Sequence, residues 1–103
     1  MKEISYEDFC GIVEPSKTLC IIDLYAEWCA PCRAMEPILA EIERENPGIL
    51  FFRVNVDREP ELVKLFKVRD IPMIALVKDD TFLDFSVGVV EKSVLQELID
   101  ENL

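Results

Sequence analysis

The segment Trp28–Cys32, with the sequence Trp-Cys-Ala-Pro-Cys, constrains the fold of this chain more than any other feature. It follows Leu19–Tyr25, an apolar run interrupted only by Asp23, which is typical of a strand covered on both faces of a sheet. Pro31 suits the first turn of a helix, where its missing N–H removes no hydrogen bond. The sequence therefore predicts a buried strand followed closely by a helix, with two thiols where that helix begins.

The two thiols, Cys29 and Cys32, have the spacing of a redox-active pair. Cys29 is predicted to lie at the positive N-terminal end of the helix, which favours its thiolate, so we expect Cys29 to be the attacking sulfur. Cys32 is predicted to lie further into the helix, where solvent reaches it less easily. We therefore expect Cys32 to resolve mixed disulfides rather than to start them.

Zinc binding is the main alternative chemistry for such a pair, and the composition disfavours it. A structural zinc site needs four ligands, whereas the chain has no histidine and only two further cysteines, which are too far apart to form a second pair of ligands. A purely structural disulfide is also disfavoured, because so short a loop constrains the unfolded chain little. We expect no metal, and we interpret Cys10 and Cys20 as small core residues, with a second redox centre as the alternative.

The segment Asp23–Cys32 resembles the active-site segment of thioredoxins, and further matches follow in the order and spacing of that family. They are Pro37–Leu39, Val54–Asp57, Val68–Pro72 and Val87–Gly88, so the resemblance covers nearly the whole chain. It implies a thioredoxin fold and a reductase of protein disulfides that works by dithiol–disulfide exchange. Its implied partners are disulfide-containing proteins and an electron-donating reductase, and its redox-active disulfide takes the place of a separate cofactor.

The resemblance also implies roles for residues outside the cysteine pair. Asp23 matches an aspartate that exchanges a proton with the resolving cysteine, and burial in an apolar strand is expected to raise its pKa. The alternative for Asp23 is a polar strand residue satisfied by its neighbours. Ile71 and Pro72 match a pair that contains a cis-proline and binds an extended substrate peptide. The implied substrate-binding surface comprises Trp28, Ala30, Pro31, Ile71, Pro72 and Gly88.

Two of these substrate-binding residues have an ordinary structural alternative. Trp28 is expected to shield the cysteine pair and to offer partners an apolar face, but a tryptophan can equally pack in the core. Gly88 can equally serve only as a turn at the end of a strand.

Four positions depart from the usual thioredoxin pattern. Arg53 stands where many thioredoxins have a lysine near the aspartate, and it either holds Asp23 more acidic or extends to the surface. Ala30 replaces a more frequent glycine between the cysteines, which should change the reduction potential modestly. Asp70 and Met73 replace glycine and threonine beside the Ile-Pro pair, and they are expected to add a charge and a thioether where partners dock.

The periodicity of the remaining sequence predicts one α/β domain over residues 1–103. Ser5–Asp8 has the pattern of a capping box, which predicts a short first helix. Apolar patterns predict strands and helices in the order βαβ and then ββα, which gives a mixed sheet flanked by helices on both faces. The predicted strands are 19–25, 49–56, 73–77 and 82–87, and the residues predicted to face inward from the last two helices are Leu62, Leu65, Phe66, Val94, Leu95, Leu98 and Ile99.

The charge balance and the N-terminal sequence limit the partners and the cellular compartment that we expect for the chain. The chain carries 21 acidic and 11 basic residues, a net charge of −10, which disfavours nucleic acid and anionic membranes as partners. Met1–Ser5 lacks the apolar core of a signal peptide, and no segment is long enough to span a bilayer. We expect a cytoplasmic monomer. An oxidase or isomerase of the same fold, and a non-catalytic interaction module, remain the alternatives.

Overall fold

The computed structural model describes all residues 1–103 and contains one mixed sheet of five strands with helices on both faces. The strands are β1 (Lys2–Glu3), β2 (Cys20–Tyr25), β3 (Leu50–Asn55), β4 (Met73–Lys78) and β5 (Thr81–Val87), and the helices are α1 (Tyr6–Asp8), α2 (Ala30–Glu45), α3 (Pro60–Leu65) and α4 (Lys92–Glu101). A π-helical turn, Phe9–Val13, continues α1. The predicted α/β class is confirmed, and no helix is both long and apolar enough to cross a membrane.

The sheet has the order β1-β3-β2-β4-β5, so that β2 lies at its centre. β2 is parallel to β3 and antiparallel to β4, and all six of its residues are buried. The interpretation of the apolar run as a strand covered on both faces is therefore confirmed. β1 was not expected, because two residues are too few to produce a pattern of alternation.

Alternation along β2 divides the core into two layers. Cys20, Ile22 and Leu24 pack on the side of the sheet that α3 covers, whereas Ile21 packs on the side of α2 and α4. Successive side chains of a strand point to opposite faces, so Asp23 lies on the α2 side together with Ile21. This alternation places a carboxyl group in the layer that also holds the start of the long helix.

Two residues predicted to face the core are exposed, and those predictions are wrong. Leu65 is the last residue of α3, a helix of only six residues whose buried residue is Leu62. Val94 lies one position before the buried stripe of α4, which is formed by Leu95 and Ile99. Because an α-helix turns 100° per residue, a shift of one position is enough to move a side chain out of the core.

The β4–β5 hairpin closes over Asp79 and Asp80, whose φ angles are 52° and 60°. A two-residue turn of type I′ needs positive φ at both loop residues, and its backbone twist matches that of the two strands. The hairpin leaves β5 at the edge of the sheet.

Candidate active site

Cys29 is the residue that caps the N-terminus of α2, as the sequence predicted. Its Sγ accepts a hydrogen bond from the backbone N–H of Cys32 at 3.1 Å. Ala30 begins the helix, and Pro31 follows in the first turn, where it removes no backbone hydrogen bond. A thiolate on Cys29 therefore meets a donor N–H and the positive end of the helix dipole.

Cys29 and Cys32 are joined by a disulfide, with a Cα–Cα distance of 5.3 Å. Both are almost fully buried, at 4% and 2% exposure, in a small cluster with Tyr25 and Ala26. The two sulfurs differ in where they face, because Cys29 lines an open cleft and Cys32 does not. Residues that line this disulfide cleft are Trp28, Cys29, Ala30, Pro31, Arg69, Asp70 and Ile71.

The segment that precedes β4 lies against the disulfide. The Ile71–Pro72 peptide bond is cis, as the resemblance implied, and the carbonyl oxygen of Ile71 lies 4.0 Å from Cys29 Sγ. Gly88 follows β5 with a φ of 86°, a left-handed conformation that favours glycine, and its N–H donates to the carbonyl oxygen of Pro72 at 2.8 Å. The structure thus brings Ile71, Pro72 and Gly88 to the same edge of the site. Met73 is almost fully buried, so little of its thioether reaches the surface, whereas Asp70 is exposed.

Trp28 is on the surface, with 69% of its area exposed, so the alternative of core packing is wrong. Its indole Nε1 donates a hydrogen bond to Asp57 Oδ2 at 2.8 Å, which fixes the ring beside the disulfide cleft. Sequence reasoning did not assign Asp57 a role in this site. The only signal was its place in a matched family segment, since the two residues are 29 positions apart.

Asp23 is buried, at 2% exposure, and its Oδ1 atom has no hydrogen-bond partner. Burial raises the pKa of Asp23 from 3.8 to about 6, with Arg53 opposing the shift and Glu36 adding to it. The three side chains line a common cleft of about 160 Å³. The alternative in which neighbours satisfy Asp23 is not supported, because its buried oxygen is unpaired.

Arg53 neither pairs with Asp23 nor extends freely into solvent. Its guanidinium carbon lies 3.9 Å from the centre of the Tyr25 ring, and its Nη2 atom lies 3.3 Å from Glu36 Oε1. The Tyr25 hydroxyl in turn donates to Glu3 Oε1 at 2.7 Å. Arg53 therefore acts on Asp23 through its charge, which lowers the pKa of that carboxyl without overcoming the effect of burial.

The other cysteines are free thiols outside this site. Cys20 is fully buried in β2, which agrees with its interpretation as a core residue, and burial raises its pKa. Cys10 is only half-buried, so its interpretation as a core residue is correct only in part. No three histidine, cysteine, aspartate or glutamate side chains are grouped closely enough to hold a metal ion.

A Cys10→Ala/Cys20→Ala double variant is expected to keep the turnover of the wild type, because neither thiol adjoins the disulfide cleft. Its expected loss is in stability, about 1 kcal/mol from the packing of Cys20. Assays of disulfide reduction and denaturant midpoints on the same samples measure both effects. A double variant that is folded but has lost most of its turnover would contradict this assignment.

Comparison with known proteins relates both the sequence and the fold to thioredoxins. The family model named Thioredoxin matches residues 1–101. The chain is 34% identical to a thioredoxin of Chlamydia caviae over 102 residues, which are 99% of this chain and 98% of that protein. It is 32% identical to a thioredoxin of Buchnera aphidicola subsp. Acyrthosiphon pisum, with 98% and 94% covered. The structure of Plasmodium falciparum thioredoxin superposes with a TM-score of 0.91 at 27% identity, with both chains fully covered.

Proposed function

The chain belongs to the thioredoxin family and is a thiol–disulfide oxidoreductase. We propose that Cys29 attacks the substrate disulfide and that Cys32 resolves the mixed disulfide that forms. One observation carries this assignment of roles. Cys29 caps the N-terminus of α2, accepts the N–H of Cys32 and lines the disulfide cleft, whereas Cys32 lies inside the first turn and away from that cleft. The assignment agrees with the general rule that a reactive thiolate lies at an accessible helix N-terminus.

The reaction is two successive thiol–disulfide exchanges, which the reduced chain begins. The Cys29 thiolate attacks one sulfur of the substrate disulfide, so that a mixed disulfide forms and the other substrate sulfur leaves as a thiolate. The Cys32 thiolate then attacks Cys29 Sγ, which releases the second substrate sulfur and forms the Cys29–Cys32 disulfide. Two electrons pass to the substrate, and a reductase restores the dithiol. The Cys29/Cys32 dithiol itself carries the two electrons, so no separate cofactor is proposed.

Asp23 is proposed to take the proton that Cys32 loses when it attacks the mixed disulfide. Its burial and its unpaired Oδ1 support this role, and a pKa of about 6 leaves the carboxylate available as a base near neutral pH. The neighbouring strand supplies the guanidinium of Arg53, which is proposed to support Asp23 by limiting the rise of its pKa.

The substrate is proposed to bind across the face formed by Trp28, Ala30, Pro31, Ile71, Pro72 and Gly88. Three observations support this surface. Trp28 is exposed and held by Asp57, Ile71 lies beside the attacking sulfur, and Gly88 is bonded to Pro72 at the end of the hairpin. An extended segment bound there would place its cysteine over Cys29.

The setting is proposed to be the cytoplasm, with the chain acting as a monomeric electron carrier of one thioredoxin domain over residues 1–103. A reductase of disulfides needs a steady supply of electrons, which a reducing compartment provides. The net charge of −10 supports a monomer, because two copies repel each other.

Reduction of insulin by dithiothreitol tests the proposed activity, with precipitation of the freed B chain as the readout. The purified chain is expected to accelerate precipitation in proportion to its concentration. A parallel assay follows the reoxidation of reduced ribonuclease in a glutathione buffer. No acceleration in either assay would indicate a non-catalytic module. A larger acceleration of ribonuclease oxidation than of insulin reduction, each relative to its uncatalysed rate, would indicate an oxidase.

A further inference from the structure

The edge strand β5 presents an uncovered apolar face beside the active site. Phe85 and Val87 pair across the hairpin with Ala75 and Met73, which belong to the core layer on the α3 side. They are nevertheless 51% and 44% exposed, because α3 ends at Leu65 and does not extend over β5. Half-exposed apolar side chains that share one face of an edge strand are a feature of interaction sites.

These side chains form the walls of a groove of about 300 Å³, which we call the β5 groove. Phe66, Met73, Phe85 and Val87 supply its apolar lining, and Lys67, Arg69 and Asp70 supply its charged lining. The groove has room for one large apolar side chain.

The β5 groove adjoins the disulfide cleft. Arg69 and Asp70 line both of them, and Ile71, the next residue along the chain, lies beside Cys29. Ile71, beside Cys29, and Met73, in the groove, are two residues apart in the chain and therefore at most about 7 Å apart. An extended peptide rises about 3.3 Å per residue, so a segment bound across Ile71 reaches the groove about three residues from its cysteine.

The groove is held in shape by a row of aromatic contacts that begins in the core. The ring centroids of Phe9 and Phe66 are 5.6 Å apart, those of Phe66 and Phe82 are 5.1 Å apart, and those of Phe82 and Phe85 are 5.9 Å apart. Because Phe9 and Phe66 are buried, the row connects the exposed ring of Phe85 to the core through Phe82. A preformed site needs little ordering when it binds.

We propose that the β5 groove binds an apolar side chain of the substrate protein, on the extended segment that carries the attacked cysteine. The inference rests on the proposed function, and it adds a preference among substrates. Proteins with a phenylalanine or another large apolar residue about three positions from the cysteine are reduced faster than those with a polar residue there. A second copy of this chain is the less suitable occupant, because each copy carries a net charge of −10.

Matched peptides test the proposal with the full chain in its reduced form. Each peptide has one cysteine, joined by a disulfide to a chromophoric thiol whose release is followed in a stopped-flow instrument. In the first pair, one peptide has phenylalanine and the other has serine three residues before the cysteine. In the second pair, the same two residues stand three residues after the cysteine. The wild type is expected to prefer phenylalanine about tenfold in one of these pairs, the size of effect that one buried apolar side chain gives. Equal rates for both members of both pairs would overturn the proposal.

Two variants of β5 test whether the preference for phenylalanine arises in the β5 groove. Phe85→Ser is expected to remove the preference. Leu83→Ser is expected to keep it, because a β-bulge in β5 places Leu83 beside the end of α4 and outside the groove. The ratio of the two peptide rates is measured within each variant, so a general loss of activity does not imitate the effect. If Phe85→Ser lowers the denaturant midpoint, Val87→Ser tests the same groove. A preference that survives both groove variants would overturn the proposal.

The remaining outcomes separate the possible causes of failure. Reaction of the wild type with a small chromophoric disulfide, without any preference between the peptides, would sustain the proposed function and overturn the groove. No reaction with the small disulfide or with any peptide would overturn both. A dimer in sedimentation equilibrium that Phe85→Ser dissociates would show that a second copy occupies the groove, and it would also overturn the proposal.

Discussion

Replacing Cys29 with serine will reduce the catalysed reduction of a protein disulfide to the uncatalysed rate, whereas Cys32→Ser will leave the chain covalently joined to its substrate. The reason is the different position of the two sulfurs at the start of α2. Cys29 lines the disulfide cleft and lies at the helix N-terminus, so its loss removes the attacking thiolate. Cys32 is the internal nucleophile that frees the substrate, so its loss stops the reaction at the mixed disulfide.

Mass spectrometry of the trapped adduct checks this prediction. Reduced Cys32→Ser is mixed with an oxidised substrate, and the adduct is digested without a reductant to locate the linkage, which is expected at Cys29. Cys10→Ser is the matched control, because it removes a free thiol that does not line the disulfide cleft. A substrate trapped on Cys32 in the Cys29→Ser variant, with no adduct in the Cys32→Ser variant, would reverse the two roles.

Asp23→Asn will make the protein more stable than the wild type near neutral pH, and the difference will disappear in acid. The pKa of Asp23 is about 6 in the folded chain and 3.8 without burial, so between those values the folded state keeps a proton that the unfolded state has released. The stability of the wild type therefore falls as pH rises from about 4 to about 6, by about 3 kcal/mol in total for a shift of this size. Asparagine does not titrate and avoids this loss.

The same variant will also release substrate more slowly, by roughly ten- to a hundredfold, because Cys32 loses its proton acceptor. Denaturant midpoints measured from pH 3 to pH 8 test the stability, and decay of the mixed disulfide tests the rate. Asp84→Asn makes the same change on the edge strand β5 and serves as the control. A variant that is less stable at neutral pH and releases substrate at the normal rate would show that Asp23 is a paired structural carboxylate.

Much of the site could be predicted because its determinants are close together in the chain. These determinants are the apolar run of β2, the two cysteines and Pro31, which follow one another in the chain. Each of them affects the structure of its own residues or of the next helical turn. The burial of β2 on both faces and the start of α2 at the cysteine pair followed from these residues alone, and the structure agrees with both. The cis bond at Pro72 was expected only from the resemblance, since the pattern of residues around it does not determine the isomer.

The tertiary structure decided what surrounds these residues. The sequence left two interpretations of Arg53, and the structure agrees with the one in which its charge holds Asp23 more acidic, while its guanidinium lies on Tyr25 and pairs with Glu36. Likewise, only the fold shows that Asp57 holds Trp28, across 29 positions of sequence. The sequence by itself determined the four longer strands, the helices and the reactive pair, because hydrophobic periodicity and helix capping act over a few residues. The electrostatics around Asp23 and the uncovered face of β5 depend on how distant elements pack, and no local pattern encodes that packing.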